Sequence, residues 1–212
     1  MKRRHSATTV IAVAALVVLA AHLADRWAYE WIALDGVYEE DWGRMLRVMG
    51  FLPLWILAAV ALVLEDWPAR TASSIAPAMR RGLLLFGAAA VSGIVGELLK
   101  LVFRRERPRA HDGEYVFRAL TDRPLHSGGL ALPSSHAVVA FGAAAMLARL
   151  FPRAAPVWYA LAAGCALTRV AAGAHFLSDI VVSGIAGWIV VALLWRRYGP
   201  ERGRTTERSP AV

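Results

Sequence analysis

Three short stretches of the chain carry polar side chains at spacings that suit one chemistry. Together they contain one Lys, two Arg, two His and one Asp, a set that could hold a phosphate, attack it and protonate the group that leaves. The stretches are Lys100-x6-Arg107-Pro108, Pro133-Ser134-Ser135-His136 and Arg169-x5-His175-x3-Asp179.

The third stretch could supply a nucleophile. His175 and Asp179 lie four residues apart, so on a helix the carboxylate would share a face with the imidazole, one turn away. A carboxylate hydrogen-bonded to one ring nitrogen fixes the tautomer and makes the other nitrogen a better nucleophile. Taken alone, the pair is also compatible with a helix-start His and an Asp near a cap.

The second stretch is typical of a helix start, where unpaired backbone N–H groups attract anions. His136 could donate a proton there to a leaving oxygen, although a simple helix cap is the alternative. The cations Lys100, Arg107 and Arg169 could stabilise a phosphoryl group in its transition state. For Lys100, a structural ion pair with Glu97 is the alternative.

These residues belong to a hydrophobic chain. Of its 212 residues 58% are hydrophobic and the mean hydropathy is +0.47, which disfavours a soluble globule. Apolar stretches close to the bilayer-spanning length of about 20 residues cover 8–24, 49–65, 82–103, 133–150, 155–172 and 176–195. We therefore predict an all-α integral membrane bundle of six transmembrane helices over 1–198 and a disordered tail over 199–212. The N-terminal segment, in which Lys2-Arg3-Arg4 precedes the apolar residues 8–24, resembles a signal peptide, but we favour an uncleaved first transmembrane helix.

The distribution of Lys and Arg predicts the orientation. Six spans put both termini on one side, together with the basic segments 66–81 and 149–153, whereas the first opposite loop, 25–48, is mostly acidic. Positively charged loops face the cytoplasm, so both termini are predicted to be cytoplasmic, in a membrane that fits a bacterial inner membrane. This orientation accounts for most of the net charge of +8, and nucleic acid is not predicted as a partner.

The same topology brings the three stretches to the outer membrane face. Lys100 ends the third span, His136 begins the fourth, Arg169 ends the fifth and His175 precedes the sixth. The external loop 104–132 is basic, although the charge rule predicts few Lys and Arg on that side. An anionic ligand would explain this charge, and pairing with the loop's own acids or with lipid headgroups is the alternative. Residues 26–47 would form either a helix lying on the surface or an ordinary loop.

On these motifs the chain resembles the type 2 phosphatidic acid phosphatase family, membrane lipid-phosphate phosphatases related to vanadium-dependent haloperoxidases. The family pattern is K-x6-R-P, then P-S-G-H, then S-R-x5-H-x3-D. Two positions depart from it: Ser135 replaces the family's Gly, and Thr168 replaces the Ser beside Arg169. Neither change removes a charged group.

The resemblance implies a double displacement without a metal or another cofactor. His175 would attack phosphorus, Asp179 would orient His175, and His136 would protonate the leaving group and then activate water. The phosphoryl oxygens would be held by Lys100, Arg107, Arg169, Ser134 and Ser135.

The expected activity is hydrolysis of a lipid phosphate monoester or pyrophosphate. Undecaprenyl pyrophosphate, phosphatidylglycerophosphate or phosphatidate, and lipid A phosphate all remain open as substrates, and membrane lipids are the only other partners expected. A lipid phosphotransferase is one alternative. A non-enzymatic protein that binds anionic lipids is another, and it would need the cations but neither His175 nor Asp179. An oxidase that holds vanadate is a third. The sequence leaves the oligomeric state open.

Overall fold

The computed structural model describes residues 7–67 and 75–199, and within these ranges it contains helices and no β-strand. The helices are α1 (Ala7–Leu23), α2 (Asp25–Ile32), α3 (Asp41–Val48), α4 (Leu52–Asp66), α5 (Ile75–Phe103), α6 (Ser135–Leu150), α7 (Ala155–Ala171) and α8 (Leu177–Tyr198). Two single-turn 3₁₀ helices occupy Pro108–Ala110 and Pro152–Ala154. The prediction of an all-α fold is confirmed.

Each predicted apolar stretch contains or overlaps one of α1, α4, α5, α6, α7 and α8. Proline lies in the first turn of α4 and α7, where a missing backbone N–H removes no helical hydrogen bond. Residues 26–47 form neither one surface helix nor a plain loop, because α2 and α3 are separated by the turns of 33–40. Except for Gly199, the tail predicted over 199–212 lies outside the described residues.

Helix α6 is the centre of the bundle and packs against α5, α7 and α8. Its Ala143 and Ala144 are fully buried, and two glycines permit the close approach of its neighbours. A Cβ added at Gly142 would lie 2.2 Å from Ser92 Oγ of α5, and one added at Gly187 of α8 would lie 2.8 Å from the backbone nitrogen of Gly142. Small residues at such crossings let helix backbones pack closely within a membrane.

The lengths of the helices support a membrane protein. In the described ranges, Met79–Phe103, Pro152–Ala171 and Leu177–Tyr198 are long and apolar enough to cross a bilayer. Two bent pairs would raise the number to five: α1 with α2, bent by 51°, and α3 with α4, bent by 61°. Helix α6 is apolar but has only 16 residues, so a count of six spans remains a prediction.

The outside of the bundle is apolar along much of its length, as expected for a surface in contact with lipid. Large exposed side chains occur on α1, α4, α5 and α8, among them Ile11, Leu57, Val102 and Leu193. The polar stretches, by contrast, lie at helix ends: the C-terminal ends of α5 and α7 and the N-terminal ends of α6 and α8.

Candidate active site

His175 lies in the turn between α7 and α8 and is 3% exposed. Its Nδ1 is 2.8 Å from the carbonyl oxygen of Ala131. Because a carbonyl can only accept, Nδ1 carries the proton and Nε2 carries the lone pair. The predicted nucleophile therefore has a defined tautomer, held by a backbone group that no spacing in the sequence indicates.

The His175 imidazole is neutral at physiological pH. Burial lowers its pKa to about 4, against the opposing effect of the Asp179 carboxylate. Arg169 and Lys100 are also close enough for their positive charges to disfavour protonation. A neutral ring with a lone pair on Nε2 is the form of histidine that can attack phosphorus.

Asp179 is fully buried in the first turn of α8. Its Oδ2 accepts the backbone N–H of Phe176 at 2.7 Å, which caps the helix, and lies 3.7 Å from His175 Nδ1. The expected hydrogen bond between Asp179 and the imidazole is thus replaced by the bond to Ala131. Asp179 acts on His175 through its charge and by fixing the start of α8.

Arg105 connects both of these supports, and sequence reasoning missed it. Its Nη2 donates to Asp179 Oδ1 and, at 2.9 Å, to Ser178 Oγ. Its backbone carbonyl accepts the N–H of Ala131 at 2.7 Å. The residue is 4% exposed, and its guanidinium lies over the Phe176 ring, 4.9 Å from its centroid. Arg105 therefore contacts both Asp179 and Ala131, whose oxygens lie beside Nδ1 of His175.

A second carboxylate completes this buried cluster. Asp25, at the bend between α1 and α2, has its Oδ2 4.0 Å from Arg105 Nη1. Asp25 accepts the N–H of Ser178 at 2.7 Å and the hydroxyl of Tyr115 at 3.0 Å. Burial and the nearby Asp25 raise the pKa of Tyr115, so its hydroxyl remains a donor. We call Asp25, Arg105, Ser178 and Asp179 the buried charge cluster, and Tyr115, which is 40% exposed, lies at its edge.

The cations predicted to hold phosphate come together beside His175. Lys100 and Arg169 are each 6% exposed, and Arg107 is partly buried. Burial and the positive charge of Arg169 lower the pKa of Arg107. In the described part of the chain, the buried Nε atoms of Arg107 and Arg169 have no hydrogen-bond partner. Cations that repel one another and keep unsatisfied donors favour an anionic ligand.

One carboxylate and one phenol accompany these cations. Lys100 Nζ donates to Glu97 Oε1 at 3.1 Å, so the ion pair considered from the sequence does form. Arg169 Nη1 donates to the hydroxyl of Tyr38 at 2.7 Å, and Arg47 stacks on the same ring at 4.5 Å. Tyr38 and Arg47 were not predicted as site residues. They show that the segment before α4 forms one wall of the site.

The stretch at the start of α6 faces the same cations. Ser134 is fully buried, its N–H donates to Ser183 Oγ at 2.9 Å, and its own Oγ has no partner among the described residues. Ser135 Oγ donates to Glu97 instead. His136 is partly buried in the first turn of α6 and within electrostatic reach of Arg169, Lys100 and His175.

Most arginines of the basic loop after α5 donate to carbonyl groups or carboxylates of the protein. Arg104 donates to the carbonyls of four loop residues, Arg118 donates to Glu106 at 2.8 Å, and Arg109 pairs with Asp35. Within the loop itself, acids pair with Arg118 and Arg123, so pairing with the loop's own acids accounts for a minority of its arginines. Arg107 is the one that joins the cation cluster.

The match to a family model agrees with this arrangement. A model described as the PAP2 superfamily matches residues 81–202, more than half of the chain and all three motifs. The chain belongs to the PAP2 superfamily. Two departures from the family pattern, Ser135 and Thr168, both lie at the site. Ser135 binds Glu97, and Thr168 donates to the Cys165 carbonyl at 2.7 Å.

Individual members of this superfamily also resemble the chain. A lipid A 1-phosphatase of Rhizobium etli is 34% identical over 122 residues, which cover 56% of this chain and 52% of that protein. A decaprenylphosphoryl-5-phosphoribose phosphatase of Mycobacterium tuberculosis is 30% identical over 161 residues, 76% of this chain and 77% of that protein. The match to the lipid A 1-phosphatase thus spans about half the length of that relative. No solved structure matches the chain significantly.

The cation cluster predicts binding of inorganic phosphate. We expect orthophosphate to raise the unfolding temperature of the detergent-purified protein, because a ligand at 100 times its Kd stabilises the folded state by about 2.7 kcal/mol. Arg169→Gln should remove most of this shift. Arg153→Gln, at an exposed arginine before α7, is the matched control and should keep it. Equal shifts in both variants would contradict an anion site at Arg169.

The burial of His175 predicts an acid-sensitive fold. The unfolded chain takes up a proton near pH 6.5, whereas the pKa in the folded chain is about 4. Lowering the pH through this window therefore favours unfolding, and stability present above pH 6.5 is lost toward pH 4. His175→Asn keeps an N–H donor for Ala131 but does not titrate there. Its thermal stability should decline less than that of the wild type, and parallel declines would refute this explanation.

Proposed function

We propose that this protein is an integral membrane phosphatase that hydrolyses a lipid phosphate through a phosphohistidine intermediate. The observation that carries the proposal is the neutral His175, whose Nε2 holds the lone pair, beside a cluster of three cations. The names of the relatives support a lipid substrate, since they are phosphatases of lipid A and of a decaprenylphosphoryl sugar.

In the first step, Nε2 of His175 attacks phosphorus and the bond from phosphorus to the leaving oxygen breaks. Lys100, Arg107 and Arg169 stabilise the charge on the three equatorial oxygens. The Ser134 hydroxyl and the backbone N–H groups at the start of α6 add donors for the same oxygens. His136, as the acid, gives its proton to the leaving oxygen.

In the second step, His136 takes a proton from water, and the resulting hydroxide attacks the phosphohistidine. The bond between phosphorus and Nε2 breaks, which returns the lone pair to His175 and releases phosphate. Throughout, the Ala131 carbonyl holds the Nδ1 proton, and Asp179 stabilises the positive charge that the ring gains as the intermediate forms.

We further propose that α1, α4, α5, α6, α7 and α8 cross the membrane and that the site lies at its outer face. The alternation of motif-bearing ends along α5 to α8 supports this topology, since C-terminal and N-terminal ends meet at one level. The excess of Lys and Arg on the opposite side supports cytoplasmic termini. A bacterial inner membrane fits both.

The geometry of His175 also bears on the alternatives. A protein that only binds anionic lipids needs the cations but gains nothing from a buried imidazole with a fixed tautomer. A phosphotransferase would use the same first step and a lipid hydroxyl in the second. Undecaprenyl pyrophosphate, phosphatidylglycerophosphate, phosphatidate and lipid A phosphate are the substrates to compare.

Turnover in the presence of EDTA tests the proposal. The detergent-purified wild type should release phosphate from at least one of these four lipids, because the cations supply the charge that a metal would otherwise supply. His175→Asn should lose activity by at least about a thousandfold, since the nucleophile is gone, while orthophosphate still stabilises the variant. No release from any of the lipids, with or without an added lipid alcohol as acceptor, would refute the proposal.

The role of His136 predicts a dependence on the leaving group. His136→Ala should reduce hydrolysis of a phosphate monoester by about a hundredfold or more, because an alkoxide is a poor leaving group without a proton. Pyrophosphate hydrolysis should fall less, since the phosphate that leaves is already acidic. Measuring kcat/KM for phosphatidate and undecaprenyl pyrophosphate gives the comparison. Equal losses would remove His136 from the role of proton donor.

A further inference from the structure

A groove on the lipid-facing side of the bundle leads into the candidate site. It lies between α4, α5 and α6 and has a volume of about 500 Å³. Its walls are apolar, and Ala90 and Gly93 of α5 provide space between the larger Ile94, Leu101 and Leu52. The groove is therefore a hydrocarbon-lined channel open to the membrane.

The groove reaches Ser135, one of the residues predicted to hold phosphate, and Glu97, the ion-pair partner of Lys100. Glu97 and Ser135 line it, and Ser135 belongs to the stretch at the start of α6. Glu97 accepts hydrogen bonds from Ser135 and from Lys100. One end of the groove thus borders on the cation cluster, and the rest extends along α5 away from it.

The length of the groove fits one leaflet of a bilayer. The residues of α5 that line it run from Ala89 to Leu101, which at 1.5 Å per residue is about 18 Å. Half of a hydrocarbon core of about 30 Å is about 15 Å. A lipid whose phosphate lies at the membrane surface has its chain at this depth.

We infer that the groove binds a hydrocarbon chain of the lipid phosphate whose phosphoryl group lies against Lys100, Arg107 and Arg169. This inference rests on the proposed function. The occupant is the substrate's own chain, because Ser135, a predicted phosphate-binding residue, lines the groove together with Glu97, the hydrogen-bond partner of Lys100. A second apolar groove of about 350 Å³ between α4 and α5 is lined by neither, so it provides a control.

Filling each groove with the same side chain tests the assignment. Ile94 of the first groove and Leu83 of the second both lie on α5 and are 60% and 55% exposed, so a larger side chain has open space at both positions. The probes are dioleoyl phosphatidate and dihexanoyl phosphatidate, both in mixed micelles of the same detergent, which share the headgroup and differ in their acyl chains.

Ile94→Trp should lower kcat/KM for dioleoyl phosphatidate by about tenfold, the equivalent of roughly two methylene groups lost from burial. The value for dihexanoyl phosphatidate should stay unchanged, and Leu83→Trp should alter neither. The inference is overturned if Ile94→Trp affects both lipids equally or neither, or if Leu83→Trp reproduces its effect. No effect of Ile94→Trp on either lipid, or the same effect from Leu83→Trp, would indicate a surface that contacts membrane lipid in general.

A failure of the proposed function can be distinguished from a failure of the groove assignment. A wild type that hydrolyses neither phosphatidate would count against the proposed activity on this lipid and would leave kcat/KM undefined. The groove is then judged from thermal stabilisation of the same variants by the two lipids. A smaller shift with dioleoyl phosphatidate in Ile94→Trp than in the wild type supports the groove, and equal shifts overturn it.

Discussion

The guanidinium of Arg105, held between the buried carboxylates of Asp179 and Asp25, is the interaction on which the rest of the site depends. All three residues are at most 4% exposed, and a buried charge is tolerated only when it is paired and hydrogen-bonded. The pairing joins the start of α2, the loop after α5 and the start of α8. Because the backbone carbonyl of Arg105 also accepts the N–H of Ala131, Arg105 contacts both residues whose oxygens lie beside His175 Nδ1.

The charges of the cation cluster, in contrast, are mostly without carboxylate partners. Lys100, Arg107 and Arg169 lie near one another with only Glu97 as a neighbouring carboxylate in the described chain, and two of the guanidinium groups keep buried Nε atoms unpaired. Such an arrangement costs stability in the absence of an anion. In the buried charge cluster, by contrast, Arg105 has Asp179 and Ser178 as hydrogen-bond partners.

Much of the fold and of the candidate site was predictable from the sequence, because hydrophobic stretches and motif spacing are local signals. The apolar stretches located the long helices. The three motifs located the three cations of the cluster and the two histidines beside it, His136 and His175. The missed features depend on distant parts of the chain. Nothing near Arg105 distinguishes it from the neighbouring Arg104, and Asp25 looks in the sequence like an ordinary acidic residue at the end of a span. The Ala131 carbonyl has no side chain to carry a signal.

The position of Asp25 has a consequence for the autonomy of the family region. Residues 81–202 match the family model, yet Asp25, Tyr38 and Gly50 lie before that region and contact Ser178, Arg169 and His136 inside it. A fragment restricted to the matched region would leave Arg105 with one of its two carboxylates and would expose the α6 and α7 faces of the site. The residues of the matched region that form the candidate site therefore depend on the N-terminal helices for part of their burial and pairing.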